Sequence, residues 1–174
     1  MPDLGDKKVL MIIASSNFRD EEYNEPRRIL EGAGVKITVA SSSLEVAKGM
    51  LGGSAKPDIL ISQVDVSDYD AILFIGGSGA SEYWNDPTAY TIAKEAVRQG
   101  KVLGAICIAP TILANAGVLT SKKVTAFSSE GAKLRSKGAN YTGADVEIDG
   151  RIITASGPGA AVKFGQKIVQ ALTD

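Results

Sequence analysis

Short apolar runs recur along this chain, and most are followed by a stretch with helical spacing. The first, Lys8 to Ala14, reads KVLMIIA and is apolar without interruption after the lysine. A strand with one wet face alternates polar and apolar residues. A continuous run of this length predicts a strand covered on both faces. Val35 to Ala40 (VKITVA), Ala71 to Ile75 (AILFI) and Val102 to Ile106 continue the series. Residues from about Glu22 to Ala33, Thr88 to Gln99 and Pro110 to Ala116 have helical spacing, with Gly34, Gly100 and Gly117 placed to stop each helix. Val146 to Ala155 predicts a hairpin turned at Asp149-Gly150, and Ala161 to Leu172 a closing helix. Strands alternating with helices make βαβ units, so the expected fold is α/β: a three-layer sandwich, its mostly parallel sheet covered by helices on both faces. Ser41 to Asp70 is less regular, and short strands or a hairpin attached to the main sheet are expected there.

The 174 residues suit one domain, 1–174, large enough to bury a core without disulfide or metal staples. Lys plus Arg number 19 and Asp plus Glu 20, a net charge of -1, which argues against nucleic acid as a partner. The Lys122-Lys123 pair and the stretch Lys133 to Lys137 read as solvated faces. The acidic, polar start and the lack of any apolar run of about 18 residues predict no secretory leader and no membrane partner; a cytoplasmic location fits a lone free thiol. Two counts exclude more. Histidine is absent, and Cys107 is the single cysteine. An intramolecular disulfide, a His/Cys zinc site, a Ser-His-Asp triad and a Cys-His pair are all ruled out, and a second identical copy cannot restore the histidine. No metal site is expected.

Cys107 lies where the strand ending at Ile106 meets the helix opening at Pro110. Proline suits a first helical turn, where its missing N–H costs nothing. A thiol at such a junction faces unpaired N–H groups and the positive end of the helix dipole, which favours thiolate and lowers the pKa. A sharp strand-to-helix turn also projects its side chain from the carboxyl end of the sheet, where α/β folds place ligands. Against this stands the plain alternative of a buried apolar filler, the usual fate of a free cysteine.

Two further features favour chemistry. On a helix, Glu22 shares a face with Pro26, Ile29, Leu30 and Ala33, all apolar, so it points inward near the end of the first strand. Its competing role is a first-turn acid on the helix dipole, as Glu21 and Glu25 are. Gly76-Gly77 follows a strand directly, and glycine there lets the backbone aim an N–H at the sheet's carboxyl end; with the N–H of Ile108 this forms a candidate oxyanion hole. An ordinary tight turn explains the glycines equally. Gly77-Ser78-Gly79 is not a dinucleotide motif, because Glu82 stands where the last glycine belongs and the run does not follow the first strand.

Four segments in order resemble the DJ-1/PfpI (ThiJ) superfamily, whose fold is flavodoxin-like and similar to class I glutamine amidotransferase domains. Glu22-Tyr23-Asn24-Glu25-Pro26 matches Glu-x-x-x-Pro, and Asp68 to Gly77 resembles D-Y-D-A-…-P-G-G. Ala105-Ile106-Cys107-Ile108-Ala109-Pro110 resembles A-I-C-H-G-P or A-I-C-A-G-P, and Asp149 to Gly159 resembles D-G-x-L-I-T-x-x-G-P. The resemblance implies that Cys107 is the reactive cysteine and Glu22 the acid that hydrogen-bonds its sulfur. It implies that the glycine pair Gly76 and Gly77, through the Gly77 N–H, and Ile108 bind the oxyanion, and that the chain forms a homodimer. Ile108 and Phe127 replace histidines found in some members, and Ile75 replaces the proline before the glycines. Without histidine, an intracellular cysteine protease lacks its usual general base.

The expected function is a cofactor-independent, glyoxalase-type enzyme in which Cys107 adds to a small reactive carbonyl. The alternatives are a redox-sensing or stress-protective protein that uses oxidation of Cys107, and a fold used for interaction with Cys107 vestigial. Tyr83 and Trp84, after the glycine loop, suit a binding face, a pocket wall or a dimer contact.

Overall fold

Along β1 (Lys8–Ile12) successive side chains serve two different cores: Val9 and Met11 pack on one side of the sheet, Leu10 and Ile12 on the other. That is why the run carries no polar residue after Lys8. The same division holds in β7 (Ala71–Phe74), where Ala71 and Leu73 face one core and Ile72 and Phe74 the other. The computed structural model describes residues 3–174. The other strands are β2 (Ser16–Phe18), β3 (Lys36–Ser41), β4 (Ala47–Gly49), β5 (Ser54–Ala55), β6 (Ile59–Leu60), β8 (Val102–Ile106), β9 (Lys123–Val124), β10 (Asn140–Tyr141), β11 (Val146–Asp149) and β12 (Ile152–Ala155). The helices are α1 (Asp20–Gly32), α2 (Pro87–Arg98), α3 (Pro110–Asn115), α4 (Gly131–Ser136) and α5 (Ala161–Thr173).

The main sheet has the order β11-β12-β8-β7-β1-β3-β6 and is parallel except for β11. One core lies under α1 and α5, with Leu30, Phe164 and Ile168; the other lies under α2 and α3, with Ile92, Ile112 and Leu113. This is the expected α/β sandwich. Gly104 in β8 leaves room for Phe164, since a Cβ there would meet the ring at 3.0 Å. No helix among the described residues is long and apolar enough to cross a membrane.

Two expectations need correction. The hairpin at 146–155 forms, but Asp149 pairs with Ile152, so the two-residue turn is Gly150-Arg151, with Gly150 at φ 62. Asp149 stays in the strand because its carboxylate accepts the Lys123 N–H at 2.8 Å. Between residues 41 and 70, β6 does join the main sheet, whereas the β4–β5 hairpin pairs with β2 in a separate three-stranded sheet. Asp20 holds that hairpin: its buried carboxylate accepts the N–H groups of Leu51 at 2.9 Å and Gly53 at 2.8 Å.

Candidate active site

The chain turns sharply at Cys107, which has φ 66, a left-handed conformation that costs a non-glycine residue roughly 1–3 kcal/mol. The surroundings hold it there. Its N–H donates to the Ala155 carbonyl at 2.9 Å, and its own carbonyl accepts the Phe127 N–H at 2.8 Å. The side chain is 8 % exposed. The strand-to-helix elbow is therefore present, with α3 beginning three residues later.

Glu22 sits in the first turn of α1 and is fully buried, as its place on the apolar face predicts. Gly76 explains how acid and thiol meet. A Cβ on Gly76 would lie 2.3 Å from Glu22 Oε1, 2.6 Å from Cys107 Cβ and 2.6 Å from the Ile106 carbonyl oxygen. Only a bare backbone fits between them. The next residue, Gly77, has φ 103, and a Cβ there would lie 2.3 Å from the Arg19 nitrogen. A Cβ on Gly79 would come within 1.8 Å of the Ser16 carbonyl oxygen. The glycine run thus lies against residues 16–19, and the Arg19 N–H donates to the Gly76 carbonyl at 3.0 Å. The N–H groups of Gly77 and Ile108 act on the Cys107 sulfur, whereas that of Gly76 acts on Glu22. Glu22, Cys107, Gly77 and Ile108 are brought together; Gly76 is their spacer.

Burial dominates the electrostatics. It pushes Glu22 from 4.5 up to about 8, outweighing the Cys107 thiol and the Arg19 charge, which favour the carboxylate. Neither carboxylate oxygen has a hydrogen bond of good geometry. Burial, and then the negative charge of ionised Glu22, push the Cys107 thiol up to about 12; the Gly77 and Ile108 N–H groups pull the other way and lose. The lowered thiol pKa expected from a helix terminus is therefore not found. The helix in question has only six residues, and the sulfur faces a buried acid. Two groups this close titrate together. At neutral pH the site holds a neutral acid beside a thiol. Glu22 gives up its proton first, near pH 8, and the thiol keeps its own well beyond that. Arg19 is held in an ion pair by Glu21 at 2.9 Å, and its charge reaches both Glu22 and Cys107.

Beside the elbow lies a cavity of about 400 Å³, lined by Phe127, Ser128, Tyr141, Asp145 and Ser156 among others. Phe127 is 44 % exposed and offers no proton acceptor; Asp145 is the one carboxylate on this wall, and neither Cys107 nor Glu22 lines the cavity. No group of three His, Cys, Asp or Glu side chains among the described residues is placed to hold a metal. Trp84 faces the elbow: its indole N–H donates to the Ile108 carbonyl at 3.1 Å. No sequence pattern marks that contact, because the two residues are brought together by the sheet.

The sequence profile of the DJ-1/PfpI family matches residues 7–171. The chain belongs to that family. Among relatives of this DJ-1/PfpI protein, an uncharacterised protein of Methanocaldococcus jannaschii is 40 % identical over 168 residues, 95 % of this chain and 82 % of the other. A Caenorhabditis elegans protein named a glutathione-independent glyoxalase is 31 % identical over 95 % of this chain and 89 % of its own length. A crystal structure of a ThiJ/PfpI domain protein from Brachyspira murdochii superposes with a TM-score of 0.93 at 35 % identity, covering 95 % of this chain and 96 % of that one.

Proposed function

We propose that this DJ-1/PfpI protein is a cofactor-independent, glyoxalase-type enzyme that acts on small reactive carbonyls by thiol addition. The observation that carries the reading is a buried Glu22 packed against Cys107 across Gly76, with the Gly77 and Ile108 N–H groups on the sulfur side. The Cys107 thiol needs a base, and the ionised fraction of Glu22, made more basic than an ordinary carboxylate by burial, takes that part. As sulfur bonds to the aldehyde carbon, its proton passes to Glu22. The C=O π electrons move onto oxygen, where the two N–H groups hold the charge. Glu22 then returns the proton, giving a hemithioacetal. With an α-oxo aldehyde, removing the C–H proton and protonating the neighbouring carbonyl oxygen gives an enediol. Reprotonation at that neighbouring carbon with loss of the first carbon's O–H proton gives a thioester, which water cleaves to a 2-hydroxy acid and the free Cys107 thiol. One carbon is oxidised and its neighbour reduced, so the reaction needs no external redox partner. The glyoxalase name of the Caenorhabditis elegans relative supports the reading. Peptide hydrolysis fits less well, since a chain without histidine must protonate a leaving amine with Glu22 alone.

Methylglyoxal turnover by Cys107→Ser and Glu22→Gln tests this. Both variants should fold, the first without turnover and the second severely slowed. Wild-type turnover by Cys107→Ser would sink the reading. A homodimer is proposed with it; the exposed Leu44, Val46, Met50 and Leu51 around β4–β5 are apolar surface such an assembly would cover, and sedimentation velocity would show it.

A further inference from the structure

Trp84 is tied down on every side. Its carbonyl accepts the Asn115 side-chain N–H at 2.7 Å and the Tyr90 hydroxyl. Its ring lies 3.7 Å below the Lys133 ammonium. That ammonium is placed by Glu130 at 3.4 Å, and Glu130, itself 3 % exposed, accepts Thr111 Oγ1 at 2.6 Å and Ser129 Oγ at 2.8 Å. Groups from α2 and α3 thus hold the Trp84 backbone, and Lys133 from α4, itself placed by Glu130, covers its indole. The indole's own N–H leads to the site, donating to the Ile108 carbonyl at 3.1 Å. That carbonyl's other donor, the Thr111 N–H, is longer at 3.3 Å. Trp84 also ends the tight helical turn Ser78–Tyr83 that begins at Gly77. It therefore joins the segment carrying one candidate oxyanion donor to the residue carrying the other.

We infer that Trp84 is a positioning residue: its indole N–H holds the Ile108–Ala109 peptide, which is joined through the Ile108 Cα to the peptide carrying the Ile108 N–H, and so steadies the spacing between the Gly77 and Ile108 N–H groups. The inference rests on the thiol-addition reading for its kinetic consequence, but not for its effect on the thiol. Trp84→Phe keeps an aromatic ring for Lys133 and removes the one donor. Methylglyoxal kcat should fall about five- to tenfold, the scale of one neutral hydrogen bond, with KM unchanged within about twofold. The midpoint for iodoacetamide alkylation of Cys107 should move to higher pH, because one N–H that favours thiolate is displaced. That second readout needs no turnover, so a wild type inactive on methylglyoxal would defeat the carbonyl reading and leave this one testable. Asn115→Ala, which loosens the Trp84 backbone but keeps its N–H, should shift both quantities in the same direction by less, and it carries the test if Trp84→Phe fails to fold. A folded Trp84→Phe with wild-type kcat and alkylation midpoint would overturn the inference, as would a change confined to KM.

Discussion

Replacing Glu22 with glutamine should stabilise the folded protein at neutral pH while removing its chemistry. In the folded chain burial holds the proton on Glu22 up to about pH 8, against an ordinary value of 4.5. The folded pKa lies above the unfolded one, so the proton-linked contribution to stability is fully present below pH 4.5 and is lost as pH rises through 8. The loss accrues at about 1.4 kcal/mol per pH unit, which makes it about 3 kcal/mol at pH 7 and about 5 kcal/mol above pH 8. Glutamine has nearly the same shape and stays neutral throughout. Glu22 makes no well-formed hydrogen bond for the substitution to break. Urea unfolding of wild type and Glu22→Gln at pH 5 and pH 7 measures the difference directly. The two proteins should be within about 1 kcal/mol at pH 5 and separate by about 3 kcal/mol at pH 7, with the variant the more stable. A variant no more stable than wild type at pH 7, or a gap that does not widen with pH, would refute the argument from burial.

Gly76→Ala forces a methyl group against Glu22, Cys107 and the Ile106 carbonyl; it should cost about 1–3 kcal/mol in urea unfolding and abolish turnover. Asp20→Ala strands the N–H groups of Leu51 and Gly53, with an expected loss of about 2–3 kcal/mol and faster amide exchange over residues 49–55 as the local signature. Mild peroxide at neutral pH should oxidise Cys107 slowly, because the thiol is buried and protonated; peptide mapping should show oxygen at the exposed Met50 first, in wild type and Cys107→Ser alike.

The architecture was legible because burial on both faces writes itself into a strand as an unbroken apolar run; β1, β7 and β8 each feed two cores. Glu22 was legible for the related reason that one acid on an apolar helical stripe must face inward. The β2 strand carries no such mark. Its three residues, Ser16–Phe18, are set by pairing with β4 and by the glycine run that lies against them, contacts with segments about thirty and sixty residues away. Asp20 is hidden in the same way: its neighbours in sequence suggest a solvated helix start, and only the distant hairpin backbone explains its burial. The thiol shows the limit of local reasoning most clearly. A junction before a helix argues for a lowered pKa, yet the outcome is decided by how much water the fold removes and by an acid brought in from 85 positions away.

The most direct test of the coupled Glu22–Cys107 pair is the pH dependence of iodoacetamide alkylation in the native wild type and in Glu22→Gln. With one cysteine, the rate reports Cys107 alone. The structure predicts a wild-type midpoint well above the free-thiol value of about 8.5, and a lower midpoint in Glu22→Gln, where the acid's negative charge is gone. Identical profiles for the two proteins, or a wild-type midpoint below about 8.5, would contradict the coupling of thiol and acid and leave Cys107 a thiolate activated by the helix terminus alone.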